Sequence, residues 1–196
     1  MWARINGSPQ FKEASVTGLI SVILTTYKRE DALDAVLCGL ARQSDRAFEI
    51  IVADDGSGPA TRDLVARRAA DLDVPLKHVW QEDRGFRLAE VRNRGILVSG
   101  GDYCVILDGD CIPRPDFIAV HRRLAEPGWF VTGNRILLSL ALTERVLRGG
   151  LDPEKWRLFD WIGHRARGGV NRLLPLMTLP LGPLRHLQAR EWRGAR

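Results

Sequence analysis

Two carboxylates lie one residue apart where the apolar run YCVIL ends, at Asp108 and Asp110. Like charges this close raise each other's cost of ionisation unless a positive group lies near both. Paired carboxylate oxygens are ligands that Mg²⁺ and Mn²⁺ prefer, and these cations usually complete their shell with water and substrate phosphates. The simpler alternative is that both residues only cap a turn, where Asp is common. The spacing predicts a divalent-cation site and leaves the turn as the competing explanation.

Polar residues also follow two other apolar runs of the chain. Thr25 ends the run LISVILTT, and Asp54 and Asp55 end FEIIVADD just before a Gly-Ser pair. If these runs are parallel strands of one sheet, their carboxyl ends meet at the edge where such sheets bind ligands. The sequence therefore predicts that these residues converge with Asp108 and Asp110 on one cleft.

The elements that must position these residues are short strands and helices in alternation. Strands are predicted by β-rich apolar runs, and helices by apolar residues three and four positions apart. The predicted strands are 19–26, 48–57, 76–81 and 103–108, and the predicted helices are 31–43, 60–72, 88–99 and 115–125. Four such alternations predict an α/β fold, with a mostly parallel sheet and helices on both faces.

The flanking regions are less regular. Residues 1–18 read as a loose N-terminal arm, 128–133 as a fifth strand, and 142–150 and 153–167 as helices. The apolar stretch 173–184 contains three prolines and cannot form a continuous helix, so it is predicted to be a covering loop or, as the sharper alternative, a membrane-surface patch.

Several common chemistries lack their motifs. The sequence contains no G-x-x-x-x-G-K-[ST] phosphate loop and no G-x-G-x-x-G that opens the first helix. It also contains no H-E-x-x-H and no G-x-S-x-G. These absences disfavour nucleotide hydrolysis, dinucleotide redox chemistry, zinc proteolysis and serine hydrolysis, and they favour metal-assisted transfer from a diphosphate-bearing donor.

Four motifs, in this order and at this spacing, resemble the donor half of a family-2 inverting glycosyltransferase. They are SVILTTYKRED, FEIIVADDGS, EDRGFRLAEVRNRGI and DYCVILDGDCIPRPDFI, and the resemblance covers roughly residues 19–135. It implies the nucleotide-diphospho-sugar transferase (GT-A) fold and is nearest to bacterial enzymes that build lipopolysaccharide core, capsular or chondroitin-like chains. It also implies that an acceptor hydroxyl attacks the anomeric carbon of a UDP-sugar, with Mn²⁺ or Mg²⁺ as cofactor.

The resemblance assigns roles by position to the nucleotide side of the cleft. Thr25 resembles the residue that lines the nucleobase pocket, and Asp55 the carboxylate that binds uracil, with Asp54 beside it. Arg87 takes the place of the nucleotide-contacting arginine. An arginine at a helix start is electrostatically unfavourable, which itself indicates a task.

At the cation side, the resemblance implies that Asp108 reaches the ribose or the metal and that Asp110 binds the metal. Asn93 is expected to support the residues that contact the ligand, and Arg92 is expected to be a charge on the helix surface.

The sequence departs from the family pattern after the metal motif. Family members carry an acidic pair on the acceptor side, one member of which is the general base, and no E-D or D-D pair follows Asp110. The predicted domains are the arm 1–18, a donor-binding domain 19–135 and a partial, helical and basic acceptor segment 136–196. The general base is therefore unassigned and a truncated chain is expected. The alternatives left open are a non-catalytic nucleotide-sugar-binding protein, a nucleotidyltransferase that lacks its Gly- and Arg-rich signature, and a nucleic-acid binder.

Charge and cysteine use suggest where the protein works. Residues 133–196 hold 12 Lys and Arg against 5 Asp and Glu, a net charge of +7, within a chain of +5. A basic segment fits anionic lipid or a phosphorylated acceptor. Nucleic acid is disfavoured because no recognition motif accompanies the charge. Cys38, Cys104 and Cys111 are predicted to be buried thiols in a reducing compartment. We expect a cytoplasmic protein without secretory signal or membrane span, with peripheral contact at the inner membrane face.

Overall fold

Strands and helices alternate along the central part of the chain, as the apolar patterns predict. The computed structural model describes residues 2–4, 18–126, 129–176 and 190–191. The strands are β1 (Trp2–Arg4), β2 (Ile20–Thr26), β3 (Phe48–Asp54), β4 (Leu76–Trp80), β5 (Tyr103–Asp108), β6 (Trp129–Val131) and β7 (Arg190–Glu191). The helices are α1 (Glu30–Ala41), α2 (Pro59–Asp71), α3 (Leu88–Leu97), α4 (Phe117–Leu124), α5 (Leu140–Leu147) and α6 (Leu158–Ala166).

Strands β2 to β5 form one parallel sheet in the order β4-β3-β2-β5. Alternate residues of β2 point to opposite faces, so Val22 packs in the larger core with α1, α2 and α4, whereas Ile23 packs in a smaller core with α3. β2 and β3 are buried along their whole length, which explains why they read as continuous apolar runs. The predicted fold, a mostly parallel sheet with helices on both faces, is confirmed.

The strand order reverses at β2, because the chain first builds β3 and β4 on one side and then crosses to place β5 on the other. A reversal of this kind opens a crevice at the carboxyl ends of the strands. In the register, Thr25 lies opposite Asp108 on β5, and Thr26 lies opposite Asp54 on β3. The predicted convergence of these strand ends is therefore built into the sheet.

Helix α3 packs closely against the sheet at Gly95. A Cβ atom on Gly95 would lie 2.9 Å from Ile23 Cγ2, so no larger residue fits there without a shift. Val91, one turn earlier, is fully buried against the same face. The helix runs back from the carboxyl ends of the strands, so its first residues lie at the crevice.

The chain divides into two compact units, Ser15–Leu124 and the combination of Met1–Ala14 with Ala125–Arg196. In the second unit, β1 pairs with β6 and β7. Trp156 packs edge-on against Trp161, with ring centroids 4.8 Å apart. None of the residues of α6 is buried, and Phe159 is 83% exposed.

The structure corrects parts of the predicted flanks. Residues 2–4 form a strand rather than part of a loose arm, and 5–17 lie outside the described residues. The predicted helix 153–167 is two elements, a 3₁₀ turn Pro153–Lys155 and α6, because the backbone is extended at Trp156. Of the stretch 173–184, residues 174–176 form a 3₁₀ turn and 177–184 lie outside the described residues. Within the described ranges, no helix is both long and apolar enough to cross a membrane.

Candidate active site

The turn that follows β5 is the end of the candidate site that is predicted to bind a cation, called the cation end below. Asp108, Asp110 and Cys111 each offer a ligand atom, and these atoms lie within 4.8 Å of one another. The two carboxylates suit a hard divalent cation, whereas the Cys111 thiol donates to Asp110 Oδ1 at 3.4 Å and is a poor ligand for Mg²⁺ or Mn²⁺. Two carboxylates, with the remaining positions left to water and phosphate, are a typical donor set for such a cation. The residues present therefore fit the predicted metal.

Glycine at position 109 lets this turn approach β2. The Gly109 amide donates to Thr25 O at 2.7 Å, and a Cβ atom at this position would lie 2.5 Å from the same oxygen. The neighbouring carbonyl, Thr26 O, accepts from the Asp55 amide at 3.0 Å. The last two carbonyls of β2 thus tie together the two loops that carry the carboxylates.

A positive group lies beside one of the two carboxylates, that of Asp108. Arg92, on the second turn of α3, places Nη2 2.8 Å from Asp108 Oδ1, and Thr25 Oγ1 makes a long contact of 3.5 Å with the same oxygen. The Nε atom of Arg92 is buried and has no hydrogen-bond partner among the residues that the structure describes. The prediction that Arg92 is a charge on the helix surface is wrong.

The end of the site that is predicted to bind a nucleotide is organised by Asp55, which is 4% exposed. Its Oδ1 accepts from Gln81 Nε2 at 2.5 Å, and its Oδ2 accepts from the Arg87 amide at 2.9 Å. Each carboxylate oxygen can accept more than one hydrogen bond, so both keep capacity for a ligand. Asp55 thereby fixes the loop that leads into α3 and holds the backbone of the predicted site residue Arg87 next to its own carboxylate.

The Arg87 side chain is held on two sides. Its Nη1 contacts Glu90 Oε2 at 3.0 Å, and its Nη2 donates to the carbonyl of Glu82. Its Nε is buried without a partner in the described part of the chain, as is Gln81 Oε1 nearby in sequence. Unpaired buried polar atoms are rare in folded proteins, and at a cleft they indicate groups that a ligand would complete.

Asp54 serves the fold in this structure. Its side chain is fully buried, with Oδ1 accepting from the Ser57 amide at 2.8 Å and Oδ2 lying 3.1 Å from His78 Nε2. Burial alone would raise the pKa of Asp54, but the hydrogen bonds from His78 and Ser57 outweigh it and hold the pKa below its usual value. The predicted nucleotide contact of Asp54 stays a prediction, and the observed contacts anchor the turn beneath Asp55.

Tyr27, Lys28 and Asp83 form an exposed cluster, here called the clamp, beside the turn that follows β3. Asp83 Oδ2 accepts from Lys28 Nζ at 2.7 Å and from the Tyr27 hydroxyl at 3.0 Å. The hydrogen bonds from Lys28 and Tyr27 lower the pKa of Asp83. Lys28 has φ of 47°, in the left-handed region, and its amide donates to Ser57 Oγ at 2.8 Å, which holds this conformation. The clamp joins the loop after β2 to the loop after β4.

The site that emerges from the structure is larger than the one predicted from the sequence. Thr25, Asp108 and Asp110 come together at one end, and Asp55 and Arg87 at the other. Gln81 and Arg92 were missed. No motif in the sequence marks either residue, because glutamine and arginine are also common on exposed helices and loops. Cys38, Cys104 and Cys111, predicted to be buried, are each half-buried thiols.

Comparison with known proteins identifies the family. Residues 21–166 match the sequence model of glycosyl transferase family 2, so the chain belongs to this family of glycosyltransferases. It is 38% identical over 102 residues to validoxylamine A glucosyltransferase of Streptomyces hygroscopicus subsp. limoneus, which covers 51% of this chain and 22% of that protein. It is 37% identical over 108 residues to chondroitin synthase of Pasteurella multocida, which covers 55% of this chain and 11% of that one. The chain therefore spans less than a quarter of the length of these two relatives.

A solved structure supports the same fold. The mannosyltransferase PcManGT from Pyrobaculum calidifontis, in complex with GDP-Man and Mn²⁺, is similar over 55% of this chain and 32% of its own. The TM-score is 0.50 and the sequence identity 30%. Together with the family match, this similarity confirms the GT-A architecture and relates the chain to enzymes that include polysaccharide synthases.

Proposed function

We propose that this chain binds a nucleotide-diphospho-sugar, with a UDP-hexose as the expected donor, together with Mn²⁺ or Mg²⁺. The observation that carries the proposal is the close pair Asp108 and Asp110 at the switch point of the sheet. The similarity to a mannosyltransferase in complex with GDP-Man and Mn²⁺ supports both the class of donor and the need for a cation. Asp110 and Asp108 would hold the cation. The role of Thr25 in lining the nucleobase pocket stays a prediction, because its hydroxyl lies 3.5 Å from Asp108 Oδ1 at the cation end.

Asp55 and Arg87 have complementary tasks in this proposal. Asp55 offers acceptor capacity to the N–H groups of a base and positions the loop that carries Arg87. Arg87 offers a buried N–H without a partner, which a nucleotide oxygen would satisfy. The choice between bases then depends on the donors and acceptors that this pair and Gln81 present.

The proposed reaction is an inverting transfer to a saccharide or glycolipid acceptor in cell-surface polysaccharide synthesis. An acceptor hydroxyl forms a bond to the anomeric carbon while the bond to the nucleoside diphosphate breaks, and the hydroxyl proton passes to a base. A bound divalent cation would stabilise negative charge on the departing diphosphate. Arg92 and the two carboxylates orient the groups around that diphosphate. None of the described carboxylates is assigned as the base, so the alternative is a nucleotide-sugar-binding protein without transfer activity.

The basic second unit supports a proposal about location. Helix α6 exposes Leu158, Phe159 and Ile162, with exposed fractions of 61%, 83% and 45%. Arg165 and Arg167 lie at its end and are exposed. Apolar side chains beside basic ones are typical of segments that lie on anionic membranes. These side chains support the proposal that the protein works in the cytoplasm, with peripheral contact at the inner membrane face.

Calorimetric titration with UDP, in Mn²⁺ and then in excess chelator, tests the donor site. We expect Asp110→Asn to lose most of the effect of Mn²⁺, and Asp55→Ala to weaken UDP binding in both conditions. Asp63→Asn is the matched control, because Asp63 is exposed on α2 and lies outside the site. Equal affinity for UDP with and without Mn²⁺ would remove the cation from the proposal. Robust transfer in an assay with UDP-sugars and saccharide acceptors would exclude the non-catalytic alternative.

A further inference from the structure

The contact between Arg92 and Asp108 affects how the cation and the nucleotide influence each other's binding. Arg92 Nη2 lies 2.8 Å from Asp108 Oδ1. The same carboxylate belongs to the group of ligand atoms that fits a divalent cation. The Asp108 carboxylate therefore has two possible positive partners, the Arg92 guanidinium and a divalent cation from solution.

The two positive partners compete. A guanidinium and a divalent cation on one carboxylate repel each other across a few ångströms, and both are only partly screened because Arg92 and Asp108 are 29% and 43% exposed. The cation alone must therefore displace Arg92 or accept its repulsion. Either cost lowers the affinity of the free protein for the cation.

A diphosphate changes this balance. Arginine binds phosphate oxygens through two parallel N–H groups, and Arg92 has a buried Nε without a described partner beside the Nη2 that contacts Asp108. An arriving diphosphate would give both nitrogens an acceptor and would release Asp108 to the cation. The guanidinium then stabilises the complex of protein, cation and diphosphate, whereas it destabilises the complex of protein and cation alone.

We propose, building on the proposed donor site, that Arg92 couples the two ligands: it occupies Asp108 in the free protein and moves to the diphosphate when donor and cation bind together. Arg92 is in this sense a positioning residue that makes cation and nucleotide binding cooperative. By linkage, Mn²⁺ then raises the affinity for UDP by the same factor as UDP raises the affinity for Mn²⁺.

The test is calorimetry of Mn²⁺ alone, of UDP alone and of UDP in saturating Mn²⁺, for the wild type, Arg92→Met and Arg92→Lys. We expect Arg92→Met to bind Mn²⁺ alone about tenfold more tightly, because a like charge is removed from the site. We expect the same variant to bind UDP in Mn²⁺ at least tenfold more weakly, because the phosphate contact is lost. Arg92→Lys, which keeps the charge without the planar fork, should bind Mn²⁺ alone as the wild type does and bind UDP at an intermediate level.

Opposite signs for the two ligands distinguish coupling from damage to the fold, since a misfolded variant would lose both. Far-UV circular dichroism and urea unfolding of each variant check the fold independently. Unchanged or weaker binding of Mn²⁺ alone by Arg92→Met would overturn the competition. If the wild type binds no nucleoside diphosphate, the proposed donor site fails, while the Mn²⁺ titration still decides whether Arg92 opposes the cation.

Discussion

The glycine between the two carboxylates allows a sharp test of how the cation site is built. In Gly109→Ala, the new Cβ would lie 2.5 Å from Thr25 O, whereas real Cβ contacts of this kind essentially never fall below 3.0 Å. The turn must therefore move away from β2 by roughly 0.5 Å or more, because the atom that it meets is backbone rather than a flexible side chain. The same movement stretches the hydrogen bond from the Gly109 amide to Thr25 O, now 2.7 Å long.

The expected loss of stability follows from these two effects. Overpacking against fixed backbone costs about 1–3 kcal/mol, and a lost hydrogen bond adds about 0.5–1.5 kcal/mol. We expect the free energy of unfolding in urea to fall by about 2–4 kcal/mol. The affinity for Mn²⁺ should fall by about tenfold or more, because both carboxylates move with the turn.

A second glycine provides the matched control. No atom lies within 4 Å of a Cβ built on Gly133, so Gly133→Ala should change the free energy of unfolding by less than about 0.5 kcal/mol. If Gly109→Ala matches this control in both stability and Mn²⁺ affinity, the close approach of the turn to β2 is not what shapes the site.

Three further predictions concern the fold and the membrane. Burial lowers the pKa of His121 to about 4, below its ordinary 6.5, so the unfolded chain takes up a proton before the folded chain does as the pH falls. Urea unfolding should therefore show about 2 kcal/mol less stability at pH 5 than at pH 7, and His121→Gln should reduce this difference. Asp54→Ala should lower the unfolding free energy by about 2–4 kcal/mol, because the Ser57 amide and the partly buried His78 ring lose their acceptor, and a loss under 1 kcal/mol would contradict the anchoring role. Phe159→Asp should weaken co-sedimentation with anionic liposomes, whereas Ala141→Asp, which adds the same charge at an exposed position of α5, should not; equal effects would refute the role of α6.

Local patterns were enough to predict the sheet, because its strands are buried on both faces and its helices carry clear apolar stripes. The strand 103–108 is predicted with the observed bounds, and the parallel arrangement follows from the alternation of elements. The convergence of Thr25, Asp55 and Asp108 could be expected for the same reason, since strand ends share an edge.

What the sequence did not reveal depends on contacts between residues far apart in the chain. The amide of Gln81 reaches Asp55 26 positions away, and Arg92 reaches Asp108 16 positions away. The residue type alone does not predict such a partner, because glutamine and arginine are common on exposed helices and loops. The break before α6 was missed because its apolar spacing continues through Trp156, where only the backbone conformation changes.

The close packing of α3 on the sheet at Gly95 also limits which substitutions could change ligand binding. One short helix follows Arg87, carries Arg92 and touches the sheet at Gly95, where a Cβ atom would lie 2.9 Å from Ile23 Cγ2. If Arg87 and Arg92 have the proposed roles, a substitution that lifts this helix would alter nucleotide recognition and cation coupling in the same step. A change at Gln81 would not avoid this coupling, because its Nε2 contacts both Asp55 Oδ1 and the Arg87 carbonyl that leads into the same helix.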